Sequence, residues 1–448
     1  MIQQARAGLK ELRLIRFKSF RGEKLSLSAL TVLTGRNSSG KSNALDAIDV
    51  LSRLVGGEEL ADALDGRRRE GGPVRGGSLG CAPHGEDRFS LGCTVEFGEY
   101  EFAYQVTIQV DPELRIVQES LHGGCPALQS GSWHWGPLLK AENANDRAAA
   151  IFGEVHNGKK GVNPSYAFRD TRLLISQLPL HVTADDSAGA QVLRGAAAVT
   201  AALRGAFHLD PVPHLMRGYV PARDSGLRRT AENLSAAVAL LSRDHDRFAQ
   251  LNELTRLVAD QPVHTLAVAE SDLRDVMLTL RETDSPHGTT PAREMSDGLL
   301  RFLAIATALL TADQGLDVDP EAGTGEEIHA RVLLVIEELE NGLHPSMAAR
   351  LLELIRDTSR QTGAQVVLTT HSPALLNALS GEGSQSVVVC YRDAGDLGSK
   401  LTRLVELPGY AEAMADGRIG DLVSQGRLVR PDRPASDADA LWRLLGIE

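Results

Sequence analysis

The stretch GRNSSGKS, residues Gly35 to Ser42, decides the fold of this chain. It matches the spacing G-x-x-x-x-G-K-[ST] at every fixed position. The apolar run LTVLT before it is typical of a buried strand, and KSNALDAIDVLSRL after it has the apolar spacing of a helix. A glycine-rich loop between a strand and a helix directs backbone N–H groups inward, where they can surround a polyphosphate. The flanking elements argue against a chance glycine–serine turn, and we predict a phosphate-binding loop in an α/β fold.

Two side chains of this loop have specific predicted tasks. Lys41 can reach the β- and γ-phosphates of a nucleoside triphosphate, and Ser42 can bind Mg²⁺. The predicted nucleotide-binding residues of the loop are Gly35, Arg36, Asn37, Ser38, Ser39, Gly40, Lys41, Ser42 and Asn43.

Acidic residues and a histidine end two later apolar runs. In VLLVIEE, Glu337 can hold Mg²⁺ through water and Glu338 can accept a proton from an attacking water. In VVLTTHS, His371 would sense the terminal phosphate or orient the water. Each feature alone also fits a solvated or structural strand end. Because open α/β sheets bind ligands at the carboxyl ends of their strands, we expect these residues to meet at the phosphate loop.

A polar turn begins the apolar stretch MSDGLLRFLAIATALL, residues Met295 to Leu310. One interpretation is a capped core helix, with Ser296 as the N-cap and Asp297 in the first turn. The other is that the free N–H groups at this helix end bind a phosphate. The local sequence favours the cap, and only the other motifs of the chain favour the phosphate.

Composition and charge restrict the class of protein. The 448 residues are 42% apolar and 24% charged with a formal net charge of −12, so the chain as a whole is not a basic nucleic-acid coat. The four cysteines form no C-x-x-C pair, which argues against a structural zinc site or a disulfide framework. No apolar run is long enough to span a bilayer and the N-terminal stretch lacks an apolar signal core. We therefore expect a cytoplasmic protein without a membrane partner.

Two further stretches have clear periodicity. Residues 88–121 alternate with period two and predict three or four antiparallel strands. Residues 172–281 have mainly helical spacing and predict a helical region.

Taken in order, these motifs resemble the ABC-type ATPases, and more narrowly the SMC/RecF/OLD-like branch of AAA-type ATPases. RFKSF resembles the sequence before Walker A in this branch, SDGLLRFL its signature, IEELENGLHP its Walker B motif and D-loop, and TTHSPALL its switch histidine. The motifs extend from Leu9 to Ala378. The resemblance implies an ABC-type P-loop ATPase head with an antiparallel β subdomain and a helical subdomain inserted between Walker A and signature. It divides the chain into a Walker A lobe with the β subdomain (1–171), a helical lobe with the signature (172–310), and a part that completes the core (311–448).

The resemblance also implies how the site works. Two chains would form a head-to-tail homodimer with two ATP molecules and Mg²⁺ between them. Ser296 and Gly298 of one chain would complete the ATP site on Walker A of the other. Glu338 would be the general base and His371 the switch, while Lys41 would stabilise the transferred phosphoryl group.

The sequence departs from the family at several positions. Glu337 replaces the commoner aspartate of Walker B, and Leu299 stands where a small polar residue is frequent. His344 lies near the position of the D-loop aspartate, which leaves communication across the dimer open. For the Q-loop glutamine, Gln177 in LLISQLPL is the first choice and Gln118 in RIVQESL the rival. Both glutamines are also compatible with an ordinary surface position.

Two arginine clusters stand out in this acidic chain. They comprise Arg67, Arg68, Arg69 and Arg75, and Arg217, Arg223, Arg228 and Arg229. Clustered arginines can neutralise phosphates without reading a base sequence. A solvated loop is the favoured interpretation of the first cluster. For the second, contact with DNA or another partner and pairing within the chain are equally supported.

The resemblance implies an ATP-hydrolysing, ATP-gated dimer in DNA repair, DNA maintenance or defence against phage, with DNA as a partner. The alternative is a regulatory ATP switch that gates a separate effector protein with little turnover. The signature turn and the Thr-His strand argue against a P-loop kinase. Fewer than eighty residues follow His371, which leaves no room around Asp437 and Asp439 for the nuclease domain of OLD-family nucleases. No nuclease activity is therefore expected.

Overall fold

The computed structural model describes residues 5–66, 72–126, 133–142, 150–259, 263–283, 288–313, 316, 328–379, 381–393, 395, 398–408, 410–411 and 420. Of the residues discussed above, Arg67 to Arg69, Asp437 and Asp439 lie outside this part. Within it, the chain forms two β-sheets, and helices pack on both faces of the larger one.

The described strands are numbered in chain order. They are β1 (Gly8–Phe17), β2 (Phe20–Ser26), β3 (Leu30–Thr34), β4 (Arg88–Phe97), β5 (Tyr100–Gln109), β6 (Arg115–Pro126), β7 (Trp133–Glu142), β8 (Ala150–Val155), β9 (Ser165–Arg169), β10 (Ala206–Leu209), β11 (Val220–Pro221), β12 (Val263–Glu270), β13 (Asp275–Glu282), β14 (Thr289–Pro291), β15 (Leu333–Ile336), β16 (Gln365–Thr370), β17 (Val387–Arg392) and β18 (Ser399–Arg403). The order in the larger sheet is β10-β15-β16-β3-β17-β18-β2-β1-β4-β5-β6-β7-β8-β9.

The described α-helices lie between and beside these strands. They are α1 (Lys41–Leu54), α2 (Leu60–Asp65), α3 (Leu174–Gln177), α4 (Ser187–Arg204), α5 (Leu234–Leu241), α6 (His245–Val258), α7 (Asp297–Leu310), α8 (Pro345–Thr362) and α9 (Pro373–Ala378). No helix in this part of the chain is both long and apolar enough to cross a membrane.

The first half of the large sheet is parallel. Strands β10, β15, β16, β3 and β17 are parallel neighbours, and every residue of β3, β15 and β16 is buried. Strands covered on both faces read as continuous apolar runs, which is how these segments appear in the sequence. Successive side chains enter opposite cores: Leu334 and Ile336 pack in one, Leu333 and Val335 in the other. The fold is therefore an α/β fold, as the sequence predicted.

The two faces of the sheet are covered by different helices. Helices α1 and α4 belong to one core, and α5, α7 and α8 to the other. Helix α4 packs on α1 and on β4 to β7, so the packing is continuous across residue 172. Strand β10 then enters the large sheet beside β15.

The second half of the large sheet is antiparallel from β2 to β9. Strands β4, β5 and β6 lie where period-two alternation predicted three or four antiparallel strands, so that prediction is confirmed. Strands β7, β8 and β9 extend the sheet through a stretch with no sequence prediction of its own.

The prediction that residues 172–281 are mainly helical is wrong in part. Helices α4, α5 and α6 are present, but β12 and β13 form an antiparallel hairpin that β11 and β14 complete as a second sheet. The physical reason is pairing between the two strands: Leu266 and Leu280 are opposite each other and both are buried. A count of apolar residues at helical spacing does not detect such pairing.

Candidate functional site

The ends of three adjacent parallel strands meet at one edge of the sheet. β15 pairs with β16, and β16 with β3, with Ile336 opposite Leu368 and Thr370 opposite Thr34. The residues that follow these strands therefore emerge side by side. They are Glu337 and Glu338 after β15, His371 after β16, and the loop from Gly35 after β3. This is the convergence that the sequence predicted.

The loop between β3 and α1 depends on two glycines. Gly35 and Gly40 have φ values of 145° and 116°, in the region that side chains rarely adopt. A Cβ on Gly35 would lie 2.0 Å from the carbonyl oxygen of Cys390, and one on Gly40 would lie 2.4 Å from Ser399 Oγ. The loop can pack this closely against β17 and β18 only because both positions are glycine.

Lys41 closes the loop over its own backbone. Its side chain is buried, and Nζ donates to the carbonyl oxygens of Gly35 at 2.9 Å and Arg36 at 3.0 Å. Burial lowers the pKa of Lys41, while the nearby carboxylates of Glu337 and Glu338 oppose that shift. A phosphate that replaces the two carbonyls would satisfy the same ammonium group with a charged partner.

A row of hydroxyl groups supports the loop from behind. Ser399 Oγ lies 2.6 Å from the carbonyl oxygen of Ser39 and 2.7 Å from Ser19 Oγ. Asn43 Nδ2 donates to the same Ser19 Oγ at 2.8 Å. The structure thus gives Asn43, a predicted nucleotide-binding residue, a contact with the turn in RFKSF.

The remaining loop residues differ in exposure. Arg36, Asn37 and Ser38 are exposed at the rim, while Ser39 is buried beneath them and Ser42 is half-buried at the start of α1. The rim residues are thus open to a ligand.

The two glutamates after β15 are both exposed. Glu338 has φ 50°, an uncommon value for a residue with a side chain. Its N–H donates to Thr369 Oγ1 at 2.8 Å, and its carboxylate accepts from Asn341 Nδ2 at 3.4 Å. Contacts from the neighbouring strand and the following turn therefore hold this uncommon backbone, as is frequent at functional sites.

Arg75 lies beside both predicted metal ligands. Its guanidinium donates to Asp46 on α1 at 2.7 Å and to the carbonyl oxygen of Ser42 at 3.3 Å, and it lies 3.7 Å from Glu337 Oε1. Lys18 Nζ holds the same segment by donating to the Arg75 carbonyl oxygen and to Asp46. Arg75 thus lies in an exposed loop, as predicted, and its ion pairs with residues distant in sequence place it beside the site.

His371 faces the phosphate loop. Burial, and then the charge of Lys41, lower the pKa of its ring, while a hydrogen bond to the Gly35 backbone opposes the shift. The backbone N–H of His371 donates to Glu340 Oε1 at 2.5 Å. The other carboxylate oxygen, Glu340 Oε2, is buried and has no hydrogen-bond partner in the described part of the chain. Sequence reasoning missed Glu340, although a third acid two residues after Glu338 was a visible signal.

The turn at Ser296 is a helix cap, as the local sequence indicated. Ser296 Oγ accepts from the N–H of Leu299 at 3.2 Å, and Ser296 itself is exposed. A Cβ on Gly298 would lie 2.8 Å from the Gly342 carbonyl oxygen, so this glycine allows the turn to approach the D-loop segment. Arg301 Nη1 donates to the Asn341 carbonyl oxygen at 2.9 Å and reinforces that contact.

The second arginine cluster pairs within the chain. Arg217 contacts Asp297 at 2.5 Å, Arg228 contacts Asp224 at 3.1 Å, and Arg229 lies 3.7 Å from Asp49 on α1. Of the two interpretations left open, intramolecular pairing is the one the structure supports for these three arginines.

Gln177 makes structural contacts in this conformation. Its amide nitrogen donates to the carbonyl oxygens of Arg169 at 3.0 Å and Arg172 at 3.1 Å, and its amide oxygen accepts from the Arg169 N–H. These bonds join the end of β9 to α3. The rival, Gln118, lines a cleft of about 340 Å³ on the outer face of the antiparallel strands with Arg16 and Glu142. The identity of the Q-loop residue stays a prediction.

Ser42 and Glu337 are the residues that the sequence predicts as Mg²⁺ ligands. Among the described residues, no group of three or more His, Cys, Asp or Glu side chains could hold a metal ion. Mg²⁺ usually keeps several waters and binds through one or two protein oxygens together with phosphates. The Ser42 hydroxyl and the Glu337 carboxylate carry oxygens of this kind, and their binding of Mg²⁺ stays a prediction.

A phosphate loop after one parallel strand, carboxylates after a second and a histidine between them define a P-loop ATPase domain of the ABC/AAA class. The chain belongs to the family described as "AAA domain, putative AbiEii toxin, Type IV TA system", whose profile matches residues 30–377. No curated protein matches the chain in sequence.

Solved structures of Smc head domains are similar to this chain. The Smc head bound to the C-winged helix domain of ScpA is 14% identical with a TM-score of 0.45, over 88% of this chain and 97% of that chain. The Smc head with an extended coiled coil, bound to the C-terminal domain of ScpA from Pyrococcus furiosus, is 11% identical with a TM-score of 0.45, over 92% and 99%. The SMC head domain from Thermotoga maritima is 14% identical with a TM-score of 0.40, over 88% and 98%.

Proposed function

We propose that this protein binds ATP with Mg²⁺ on the loop from Gly35 to Ser42 and hydrolyses it as an ATP-gated homodimer. One observation carries the proposal: the phosphate loop, Glu338 and His371 emerge side by side from three adjacent parallel strands. Each would then face the terminal phosphate of a nucleotide on that loop. The family membership supports an ATPase domain, and hydrolysis, the dimer and the biological role are parts of this proposal.

Each residue of the site has a task in this mechanism. The loop N–H groups and Lys41 bind the phosphates, and Lys41 exchanges two backbone carbonyls for phosphate oxygens. Ser42 and Glu337 would hold Mg²⁺, which when bound neutralises phosphate charge. Glu338 takes the proton of the attacking water. His371, whose pKa is lowered, is mainly neutral at pH 7 and adds no second positive charge beside Lys41.

The exposed turn at Ser296 supports the dimer. It presents an N-terminal helix end of a fourteen-residue helix to solvent, where unpaired N–H groups and the helix dipole favour an anion. We propose that this anion is the terminal phosphate of ATP bound to a second copy of the chain, with Ser296 and Gly298 in contact with it.

A regulatory switch with little turnover is the second candidate. In this candidate function, ATP and its metal replace the contacts of Lys41 with two loop carbonyls and of Arg75 with Glu337, so that binding itself rearranges the site. Such a protein would use ATP to hold a dimer that gates an effector protein. DNA repair, DNA maintenance or phage defence as the setting rests on the resemblance of the motifs.

The test compares the unmodified chain with Lys41→Ala and Glu338→Gln, using ATP binding, light scattering and phosphate release. Lys41→Ala should lose ATP binding. Glu338→Gln should bind ATP, accumulate as a dimer and lose turnover by a factor of about 10²–10⁴, the usual contribution of a general base. The regulatory switch would be favoured if the unmodified protein dimerised with ATP but had negligible turnover, both with and without duplex DNA at low salt. Hydrolysis that survives Glu338→Gln would contradict the proposed base.

A further inference from the structure

One segment of the chain connects the helix of the phosphate loop to the turn at Ser296. We define this bridging segment as residues 210–233. Its two ends pair with each other, since the Asp210 N–H donates to the Arg229 carbonyl oxygen at 2.9 Å and the Val212 N–H to that of Thr230 at 3.0 Å. The buried side chain of Asn233 fixes its second half through hydrogen bonds to the backbone of Asp224, Gly226 and Arg228.

The bridging segment contacts α1 and α7, the two helices whose N-terminal ends form the two halves of the proposed composite site. Towards α1, Arg229 lies 3.7 Å from Asp49. Towards α7, the Pro211 carbonyl oxygen accepts from Arg301 Nη2 at 3.0 Å. The segment is therefore a fixed support from which a side chain can reach the turn at Ser296.

Arg217 is that side chain. Its Nη1 donates to the carbonyl oxygens of Arg293 at 2.6 Å and Ala292 at 3.4 Å, and its Nη2 donates to Asp297 Oδ1 at 2.5 Å. One planar guanidinium thus fixes both the backbone before the turn and the first residue of α7. A lysine ammonium cannot span the two groups in this way.

The charge of Asp297 explains why such a contact is useful. Its side chain is 71% exposed and follows Ser296 directly, so an unpaired carboxylate there would repel a polyphosphate and compete for the helix end. The Arg217 guanidinium offsets this charge, so the pair carries no net charge beside the turn.

We propose that Arg217 is a positioning residue for the turn at Ser296, fixing its backbone and neutralising Asp297 so that the polyphosphate of a partner subunit can bind there. This inference rests on the proposed function, because it needs ATP shared between two copies of the chain. It concerns only the second half of the composite site, and the phosphate loop of the same subunit should not depend on it.

The experiment uses full-length chain with Glu338→Gln as the parent. Light scattering gives the ATP-dependent dimerisation constant, and a fluorescent ATP analogue gives nucleotide affinity at protein concentrations where the chain is monomeric. Adding Arg217→Ala should weaken dimerisation about tenfold, roughly 1.4 kcal/mol. Affinity for the analogue should stay within about twofold, because the phosphate loop of the same subunit should not depend on Arg217. Arg217→Lys should be intermediate, and Arg223→Ala, an exposed arginine of the same segment, is the matched control.

A second change tests the charge argument. Asp297→Asn added to Arg217→Ala should recover most of the lost dimerisation, because it removes the uncovered carboxylate. The inference would be overturned if the Arg217→Ala variant dimerised as well as the Arg223→Ala variant. It would also be overturned if Arg217→Ala lost nucleotide binding as a monomer, or if Asp297→Asn restored none of the dimerisation. A parent that binds the analogue but never dimerises with ATP would reject the proposed dimer, and the inference with it. Thermal unfolding of each variant distinguishes these outcomes from a folding defect.

Discussion

The phosphate loop and the turn at Ser296 are both positioned as N-terminal ends of fourteen-residue helices, but they are built differently. The loop is enclosed: Lys41 is buried, Gly35 is in contact with β17, and Ser399 supports the backbone from behind. The turn is exposed: Arg217, from outside α7, donates to Asp297, and Arg301, from within α7, donates to the Asn341 carbonyl oxygen. One half of the proposed site is therefore held by buried packing, while the other is held by hydrogen bonds and ion pairs at the surface.

Gly35→Ala should break the enclosed half and have the largest effect. Its Cβ would overlap the Cys390 carbonyl oxygen at a backbone angle that alanine resists, so we expect a loss of about 3 kcal/mol in the free energy of unfolding. ATP affinity should fall at least about 100-fold, equivalent to about 2.8 kcal/mol. Denaturant unfolding and ATP binding are the measurements.

Gly57→Ala is the control for this prediction. Gly57 also has a positive φ, 81°, but a Cβ there would meet no atom within 4 Å. It should cost only about 1–2 kcal/mol and leave ATP affinity unchanged. Equal losses in the two variants would mean that backbone strain, and not close packing of the loop, governs stability here.

Ser296→Arg should break the exposed half with a smaller effect on the isolated subunit. The change removes the cap, worth about 1 kcal/mol, and places a long side chain where a partner's phosphate would bind. We expect nearly intact ATP binding to the monomer but no dimer and no hydrolysis. Ser296→Ala removes the cap alone and should retain part of the turnover. Hydrolysis by Ser296→Arg would show that the turn does not complete the site.

The smallest expected effect is a shift in the pH dependence of turnover, which depends on His371 beside the enclosed phosphate loop. Because the pKa of His371 is lowered, its ring becomes charged only below its ordinary pKa of 6.5, and turnover should fall as the pH drops through that lower value. The carboxylate of Glu340 raises the same pKa. Glu340→Gln keeps an acceptor for the backbone N–H of His371 and removes the negative charge. The pKa of His371 should then fall further, and the midpoint of the acidic loss of turnover should move to lower pH.

Turnover measured from pH 8 to pH 5 tests this shift. Glu353→Gln, an exposed glutamate on α8, is the control and should leave the midpoint where it is. His371→Gln should abolish this acidic transition. A midpoint that rises in Glu340→Gln would contradict the electrostatic role assigned to Glu340.

Local patterns predicted the elements around the loop, and long-range packing determined what the sequence could not show. The phosphate loop, the apolar strands and the cap at Ser296 depend on neighbours within a few residues. Arg75 contacts Asp46 and Glu337, which are distant in sequence. The composition of the segment around Arg75 therefore indicated only a loop. The hairpin of β12 and β13 was missed for a similar reason, because the pairing of the two strands, and not helical spacing, buries their apolar residues.

The position of β3 in the sheet has a consequence for how the protein is made. Leu30–Thr34 pairs on one side with residues 366–370 and on the other with residues 387–389. The strand that carries the phosphate loop therefore gains both of its neighbours only after nearly 390 residues have left the ribosome. Until residues 366–370 have been made, its buried apolar residues have no partner strand, so the nascent chain carries the loop sequence through most of its synthesis without the sheet that gives the loop its shape.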